Sequence, residues 1–225
     1  MAIQDDSRES EMRDFFGLSE NSGRKRSDVD AVLKVSHKVM DFELKSTTVS
    51  SFSTVRDLGP EHIIKWDKMH WLLAFYDKTG RTIKKAYYGS PRQMRPWVSQ
   101  IAEYIKPDQT LAQLMSERVD KEVLNFVVGP GEVFTLDDAS RIQKRQWSKA
   151  DYIKNQDLTD GYSREKMQEI LKSRVHYLIS RGSTLNNPHI PGNYVRNLTE
   201  LSLVESEAAQ SLLSAVEAEL QKSGH

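Results

Sequence analysis

The chain lacks cysteine altogether. Disulfides, thiolate chemistry and cysteine-based zinc sites are thereby excluded. Net charge is lacking as well: 32 basic and 32 acidic side chains cancel. That speaks against a non-specific coat protein for polyanions, which would be basic throughout. No apolar run approaches the roughly 18 residues that a membrane helix requires. The first eleven residues are too polar and acidic for a secretory signal, so a cytoplasmic protein with no membrane partner is expected. Several catalytic signatures are missing too. His62, His70 and His189 have no zinc-binding spacing, no Gly-x-Ser-x-Gly elbow exists, and no Gly-Lys-Ser/Thr follows Gly129-Pro130-Gly131. A zinc hydrolase, a serine hydrolase and a phosphate loop are set aside on those grounds.

What is present is alternation. Ser27 to Val35 and Val39 to Thr47 each alternate apolar with polar residues across a short gap, which predicts two neighbouring strands in a hairpin. On the second strand Met40, Phe42 and Leu44 point into a core, while Asp41, Glu43 and Lys45 point the other way. If the first strand pairs beside it, Asp28 or Asp30 joins that polar face. Carboxylates with an adjacent lysine are the equipment of a hydrolytic Mg²⁺ site. Carboxylates supply hard oxygen ligands and leave waters on the metal. The lysine can hold or deprotonate an attacking water, or neutralise charge on a phosphate transition state.

The rest of the chain reads as mixed helix and strand. Residues 6–16 form a helix stopped by Gly17, and a polar loop ends in Arg24-Lys25-Arg26. Residues 46–54 are rich in hydroxyls. A short helix over 61–68 precedes a strand over 69–76, which is apolar without alternation and hence buried on both faces. Lys78-Thr79-Gly80 turns into a returning strand over 81–88. Ser90-Pro91 opens a helix to about residue 105, and Pro107 starts another. A strand pair is expected over 123–134, broken at Gly129-Pro130-Gly131. A helix over 136–147 carries Arg141, Lys144 and Arg145. Residues 152–160 read as irregular, 163–180 as a helix, 183–197 as a loop and 198–220 as an amphipathic helix. No internal repeat is present. The fold class is α/β (α+β).

Asp30, followed at hairpin distance by Glu43-Leu44-Lys45, resembles the motif of PD-(D/E)xK nucleases, over about residues 28–45, and the chain resembles type II restriction endonucleases. The residue before Asp30 is Val29 rather than proline. Asp28 and Asp30 share a face; Asp30 is preferred because Ala31 and the apolar run follow it directly. The resemblance implies a restriction-endonuclease-like mixed sheet flanked by helices, with a helical C-terminal part. It implies one nuclease domain over residues 1–225, with a catalytic core over about 1–105 and a helical, DNA-recognition part over about 106–225. It implies a Mg²⁺ cofactor held by Asp30 and Glu43, with Lys45 at the water, and a sequence-specific cut of double-stranded DNA by a homodimer that leaves 5′-phosphate ends. Members often add an acid from a preceding helix, and here Glu11 is the candidate with Glu9 as its rival. DNA contacts are expected from Arg24, Lys25 and Arg26, from Ser46 and Thr47, and from Arg181, Asn186 and Asn187, since arginine and asparagine read base edges. The rival readings are a structure-specific repair or junction nuclease and a non-catalytic DNA-binding protein.

Overall fold

The computed structural model describes residues 2–20, 29–55, 58–182 and 187–223. Arg24, Lys25, Arg26, Asp28 and Asn186 lie outside the described residues. In chain order the elements are α1 (Ala2–Phe16), β1 (Ala31–Val35), β2 (Lys38–Thr47), β3 (Ser51–Ser53), α2 (Pro60–Trp66), β4 (His70–Tyr76), β5 (Ile83–Gly89) and α3 (Pro91–Glu117). There follow α4 (Lys121–Val127), β6 (Val133–Phe134), α5 (Leu136–Ile142), α6 (Lys149–Lys154), β7 (Tyr162–Ser163) and α7 (Arg164–Gly182). The last are β8 (His189–Pro191), α8 (Gly192–Val195), β9 (Thr199–Glu200) and α9 (Glu205–Ser223). No helix among the described residues is long and apolar enough to cross a membrane. Contacts divide the chain into two units, residues 1–102 with 187–225, and residues 103–186. The C-terminal stretch therefore belongs with the sheet.

The first unit is built on a five-stranded mixed sheet of order β1-β2-β4-β5-β9. The alternating stretches form the expected hairpin, β1 antiparallel to β2, with Val35 opposite Lys38. The two-residue turn sets Ser36 at a positive φ of 55°, as tight hairpins require. β2 and β4 run parallel, so a hairpin cannot join them; β3 and α2 make the crossover. One sheet face carries Phe42, Leu44, Leu72, Ala74, Ala86 and Tyr88 against Met12 and Phe16 of α1 and Ala208, Leu212 and Val216 of α9. On the other face Trp71 meets Trp66 of α2 and Trp97 of α3, with ring centroids 5.3 to 5.8 Å apart. Each buried indole removes roughly 150–250 Å² from water. Together they hold α2 on the sheet.

Three sequence expectations change along the chain. The helix expected to end near residue 105 continues through Pro107 to Glu117. A proline there frees the Glu103 carbonyl, and both residues are exposed, so water can serve it. The helix expected from residue 198 begins only at Glu205. Before it, Thr199 and Glu200 pair with Tyr88 and Tyr87, and Leu201 donates its amide to the Ala86 carbonyl at 2.9 Å. Completing the edge of β5 outweighs helical periodicity in these residues. The expected loop over 183–197 likewise contains β8, which pairs with β3.

The second unit is mostly helical, around Leu124, Phe134, Ala139, Tyr152, Tyr162, Met167 and Ile170. The strand pair expected over 123–134 does not form. Lys121–Val127 is a helix, because the Asp120 carboxylate accepts the Val123 amide at 2.9 Å and caps it. Val133–Phe134 pairs instead with Tyr162–Ser163. The helix expected to reach Trp147 stops at Ile142. Lys144 and Arg145 follow at φ of 51° and 57°, and Arg145 donates its amide back to the Ser140 carbonyl at 3.0 Å. This left-handed closure ends a helix, here with two basic residues where glycine is usual. Part of the expected irregular stretch is α6, capped by Ser148 and Asp151.

Candidate active site

Hairpin pairing alone sets the site. Ala31 pairs with Phe42, so Asp30, one step before, lies opposite Glu43. Asp30 donates its amide to the Phe42 carbonyl at 3.1 Å. Its Oδ2 accepts the Leu44 amide at 3.0 Å. The aspartate is thereby fixed to the strand that carries Glu43 and Lys45. The Lys45 ammonium lies 3.3 Å from Asp30 Oδ2 and 2.9 Å from Glu43 Oε1, and it also donates to the Leu44 carbonyl at 2.9 Å. Asp30 and Glu43 are both buried. Asp41, on the same strand, is exposed and lies outside this group.

A fourth residue completes the cluster. Lys65, in the last turn of α2, sets its ammonium 3.1 Å from Glu43 Oε2. The neighbouring Trp66 explains why. Trp71 pairs with Glu43 across β2 and β4, so packing Trp66 on Trp71 brings Lys65 over the glutamate. Glu43 thus has one ammonium on each oxygen. Burial would raise its pKa, but the charges of Lys45 and Lys65 outweigh burial and hold it below the usual glutamate value. For Lys45 burial pulls the other way, and Glu43 and Asp30 reverse it, so the lysine is pushed well up and stays an ammonium at neutral pH.

Asp30 and Glu43 are the residues here that could contribute oxygens to a divalent cation. Two carboxylates contact the same ammonium and so stand side by side, and Mg²⁺ typically takes one or two carboxylates plus waters and substrate phosphate oxygens. Glu43 Oε2 is buried and has the Lys65 ammonium at 3.1 Å as its neighbour. A buried oxygen with lone-pair capacity is what a ligand to a hard cation needs. Among the described residues no group of three or more His, Asp or Glu gathers as a fuller cage.

The other expected residues are dispersed. Glu11 accepts the Tyr76 hydroxyl at 3.1 Å, and Tyr76 belongs to the opposite sheet face with Phe42 and Leu44. Glu9 is the helical acid whose charge is felt at Lys45. Ser46 is half-buried at the end of β2. Thr47 is buried, and its hydroxyl donates to the Ser51 carbonyl at 2.8 Å and accepts the Val49 amide at 3.2 Å, so it is committed to a local turn. Asn187 precedes β8, where Thr54 donates to the Pro188 carbonyl through both its amide and its hydroxyl. This brings Asn187 beside the end of β3. Arg181 is in the second unit, at the end of α7, with Nη1 3.1 Å from the Tyr177 hydroxyl. That unit also holds a pocket of about 480 Å³. Its floor includes Val127, Leu171 and Val175, and Arg141, Lys144 and Arg174 line it along with Asp138.

Lys65 is the residue that sequence reasoning missed. Its only local sign was a lysine next to a tryptophan in a short helix. No protein-family model matches the chain, and no curated protein sequence matches it either.

Proposed function

We propose that this chain is a Mg²⁺-dependent endodeoxyribonuclease of the type II restriction class. The observation that carries the reading is one ammonium, Lys45, touching both Asp30 and Glu43 at a buried hairpin edge. Paired carboxylates beside a lysine supply groups that phosphodiester hydrolysis uses. The mixed sheet, with its parallel β2 and β4 beside an antiparallel hairpin, is compatible with the core of that family. Asp30 and Glu43 would hold the metal, which when bound lowers the pKa of water and neutralises charge on a phosphate. Lys45, as an ammonium, orients the attacking water and faces the charge that builds on the phosphate oxygens. The water oxygen bonds to phosphorus, the bond from phosphorus to the 3′-oxygen breaks, and that oxygen takes up a proton. The products are a 5′-phosphate and a 3′-hydroxyl.

Duplex DNA is the proposed substrate, with the helical unit contributing to its grip. Three cations around one pocket, Arg141, Lys144 and Arg174, favour backbone phosphates. A homodimer would match a palindromic site. The apolar side of α9 is already used in the core through Ala208, Leu212 and Val216, so only its exposed side is available for a subunit contact.

The deciding experiment is a plasmid digest with Mg²⁺, comparing wild type with Glu43→Ala and Lys45→Ala. Discrete bands from wild type and none from either variant support the assignment. Cutting only at branched or damaged DNA moves it to a repair or junction nuclease. DNA binding that is equal with and without Mg²⁺, and no cutting of any substrate, leaves a binding protein with structural carboxylates.

A further inference from the structure

The second unit holds a cavity that the cluster around Glu43 does not use. It lies among α4, α5 and α7 with a volume of about 480 Å³, inside the range of roughly 300–1,000 Å³ typical of small-molecule sites. All of its lining residues belong to the unit of residues 103–186. Its floor is branched aliphatic, from Val127 of α4, Ile142 of α5, and Leu171 and Val175 of α7. A hydroxyl-rich ligand would lose hydrogen bonds on such a floor, and an apolar body would not.

The charge on the wall is not neutralised within the unit. Arg141, Lys144 and Arg174 line the cavity with a single acid, Asp138, so two positive charges are in excess. Among the described residues none of the three cations forms an ion pair. Asp138 turns its Oδ2 to the Thr135 amide and hydroxyl, at 2.9 and 2.8 Å. Nor does the end of α5 require the cations, since the Ala139 and Ser140 carbonyls accept the Gln143 and Arg145 amides at 3.0 Å each. Arg174 Nη1 donates to Gln146 Oε1 at 2.8 Å, and its guanidinium carbon lies 5.2 Å from the Tyr177 ring centroid. A flat cation held in this way is a stacking surface for a base. Lys144 sits at a φ of 51°, a left-handed conformation that is strained for lysine. Strain of this kind persists where the side chain it places has a use.

We infer that this cavity binds a nucleoside monophosphate, with the phosphate monoester among Arg141, Lys144 and Arg174 and the base on the aliphatic floor beside the Arg174 guanidinium. A phosphate monoester carries about −1.5 to −2 at neutral pH, which matches the excess of two positive charges; a carboxylate or a phosphodiester carries one. Arginine forks suit phosphate oxygens. The Asp138 carboxylate suits an exocyclic amino group and would be a misfit beside an alkyl chain. The inference goes beyond the nuclease reading. It adds a monoester pocket to the backbone contacts of the same cations, and it does not depend on Glu43 or Lys45.

The test is isothermal titration of the full chain with 5′-dAMP, without divalent cation so that no hydrolysis enters. 5′-dAMP should bind roughly tenfold tighter than inorganic phosphate, deoxyadenosine or the cyclic 3′,5′-monophosphate, which is a diester. Arg141→Gln removes an exposed side chain that makes no bond within the described residues, and it should weaken binding roughly tenfold. Lys144→Gly should do the same while raising Tm, because glycine relieves the left-handed strain; removing a merely structural lysine would lower Tm. Lys149→Gln, exposed and outside the cavity, should stay within about twofold of wild type. A 5′-phosphorylated dinucleotide that binds as 5′-dAMP does extends the site to strand ends, and one that does not bind restricts it to the free nucleotide; both support the inference. Inorganic phosphate or the cyclic diester binding as tightly as 5′-dAMP overturns it. So does a 5′-hydroxyl dinucleotide that binds as well as its phosphorylated form. Octyl phosphate binding more tightly than 5′-dAMP overturns it too, since the floor would then take an alkyl chain. Undiminished binding in folded Arg141→Gln, an equal loss in Lys149→Gln, or no binding of 5′-dAMP at millimolar concentration has the same consequence. Failure in this titration leaves the nuclease reading standing, and a failed plasmid digest leaves the pocket standing.

Discussion

Glu43→Gln separates charge from shape at the centre of the site. Glutamine has nearly the same volume, so packing at this buried position is kept and only the negative charge goes. Breaking a buried ion pair by removing one partner commonly costs about 3–5 kcal/mol. Here the loss should lie lower. Lys45 keeps Asp30 and the Leu44 carbonyl, Lys65 can turn to water, and the glutamine oxygen still accepts a hydrogen bond. A loss of about 2–3 kcal/mol at neutral pH follows. Urea unfolding followed by tryptophan fluorescence measures it, since Trp66, Trp71 and Trp97 all report on the sheet unit; a Trp147→Phe background silences the helical unit. With a urea slope of roughly 2–3 kcal/mol per molar the midpoint should fall by about 1 M. The pH dependence checks the cause. A carboxyl held below its ordinary 4.5 stabilises the fold above that value and loses the contribution as pH falls through the folded value. The gap between wild type and variant should be full near neutrality and close on acidification below about 4.5. His70 titrates in both proteins and cancels. A variant as stable as wild type at pH 7, or a gap that persists undiminished to about pH 2, would refute the account of Glu43 as a charge held by two lysines.

Other perturbations read different parts of the molecule. Trp66→Ala should cost about 3–5 kcal/mol and loosen α2, read by urea unfolding. His70 is buried, with Nδ1 2.7 Å from the Tyr88 hydroxyl, and burial pushes it down to about 4 from an ordinary 6.5. Its neutral form therefore stabilises the fold above pH 6.5, and about 3 kcal/mol is lost between there and pH 4. His70→Gln should flatten the stability profile over that interval, and an unchanged acid slope would remove His70 as its source. The double variant Arg141→Ala, Lys144→Ala should weaken DNA binding evenly across sequences and reduce the log–log salt slope by roughly one to two, read by anisotropy titrations at several salt concentrations. An unaltered slope would take those residues off the DNA path.

The reach of local pattern is visible in particular residues. Alternation from Ala31 to Thr47 specified the hairpin and which face carries Glu43 and Lys45, because a period of two sends Phe42 and Leu44 to the other face; the register that puts Asp30 rather than Asp28 opposite Glu43 came from the structure. The apolar run without alternation within residues 69–76 marked the central strand, because such a run is buried on both faces. Longer-range outcomes were not legible. Thr199 and Glu200 look helical by spacing, yet the open edge of β5 recruits them as a strand. Lys121–Val127 looks extended by composition, yet one cap at Asp120 and the packing of Leu124 make it a helix. Pro107 looks like a stop, yet an exposed carbonyl lets the helix continue.

The sequence by itself determined the hairpin, the chemistry of its polar face and the absence of any cysteine-based alternative. All of these depend on neighbours within a few residues or on composition. Only the tertiary structure decided that Glu43 has two lysines rather than one. That pairing requires α2 to fold back over β2, a placement governed by Trp66, Trp71 and Trp97 from three separate elements. It also decided that Glu11 serves Tyr76 on the far sheet face, because a helical periodicity says which side of α1 is buried but not which strand it crosses.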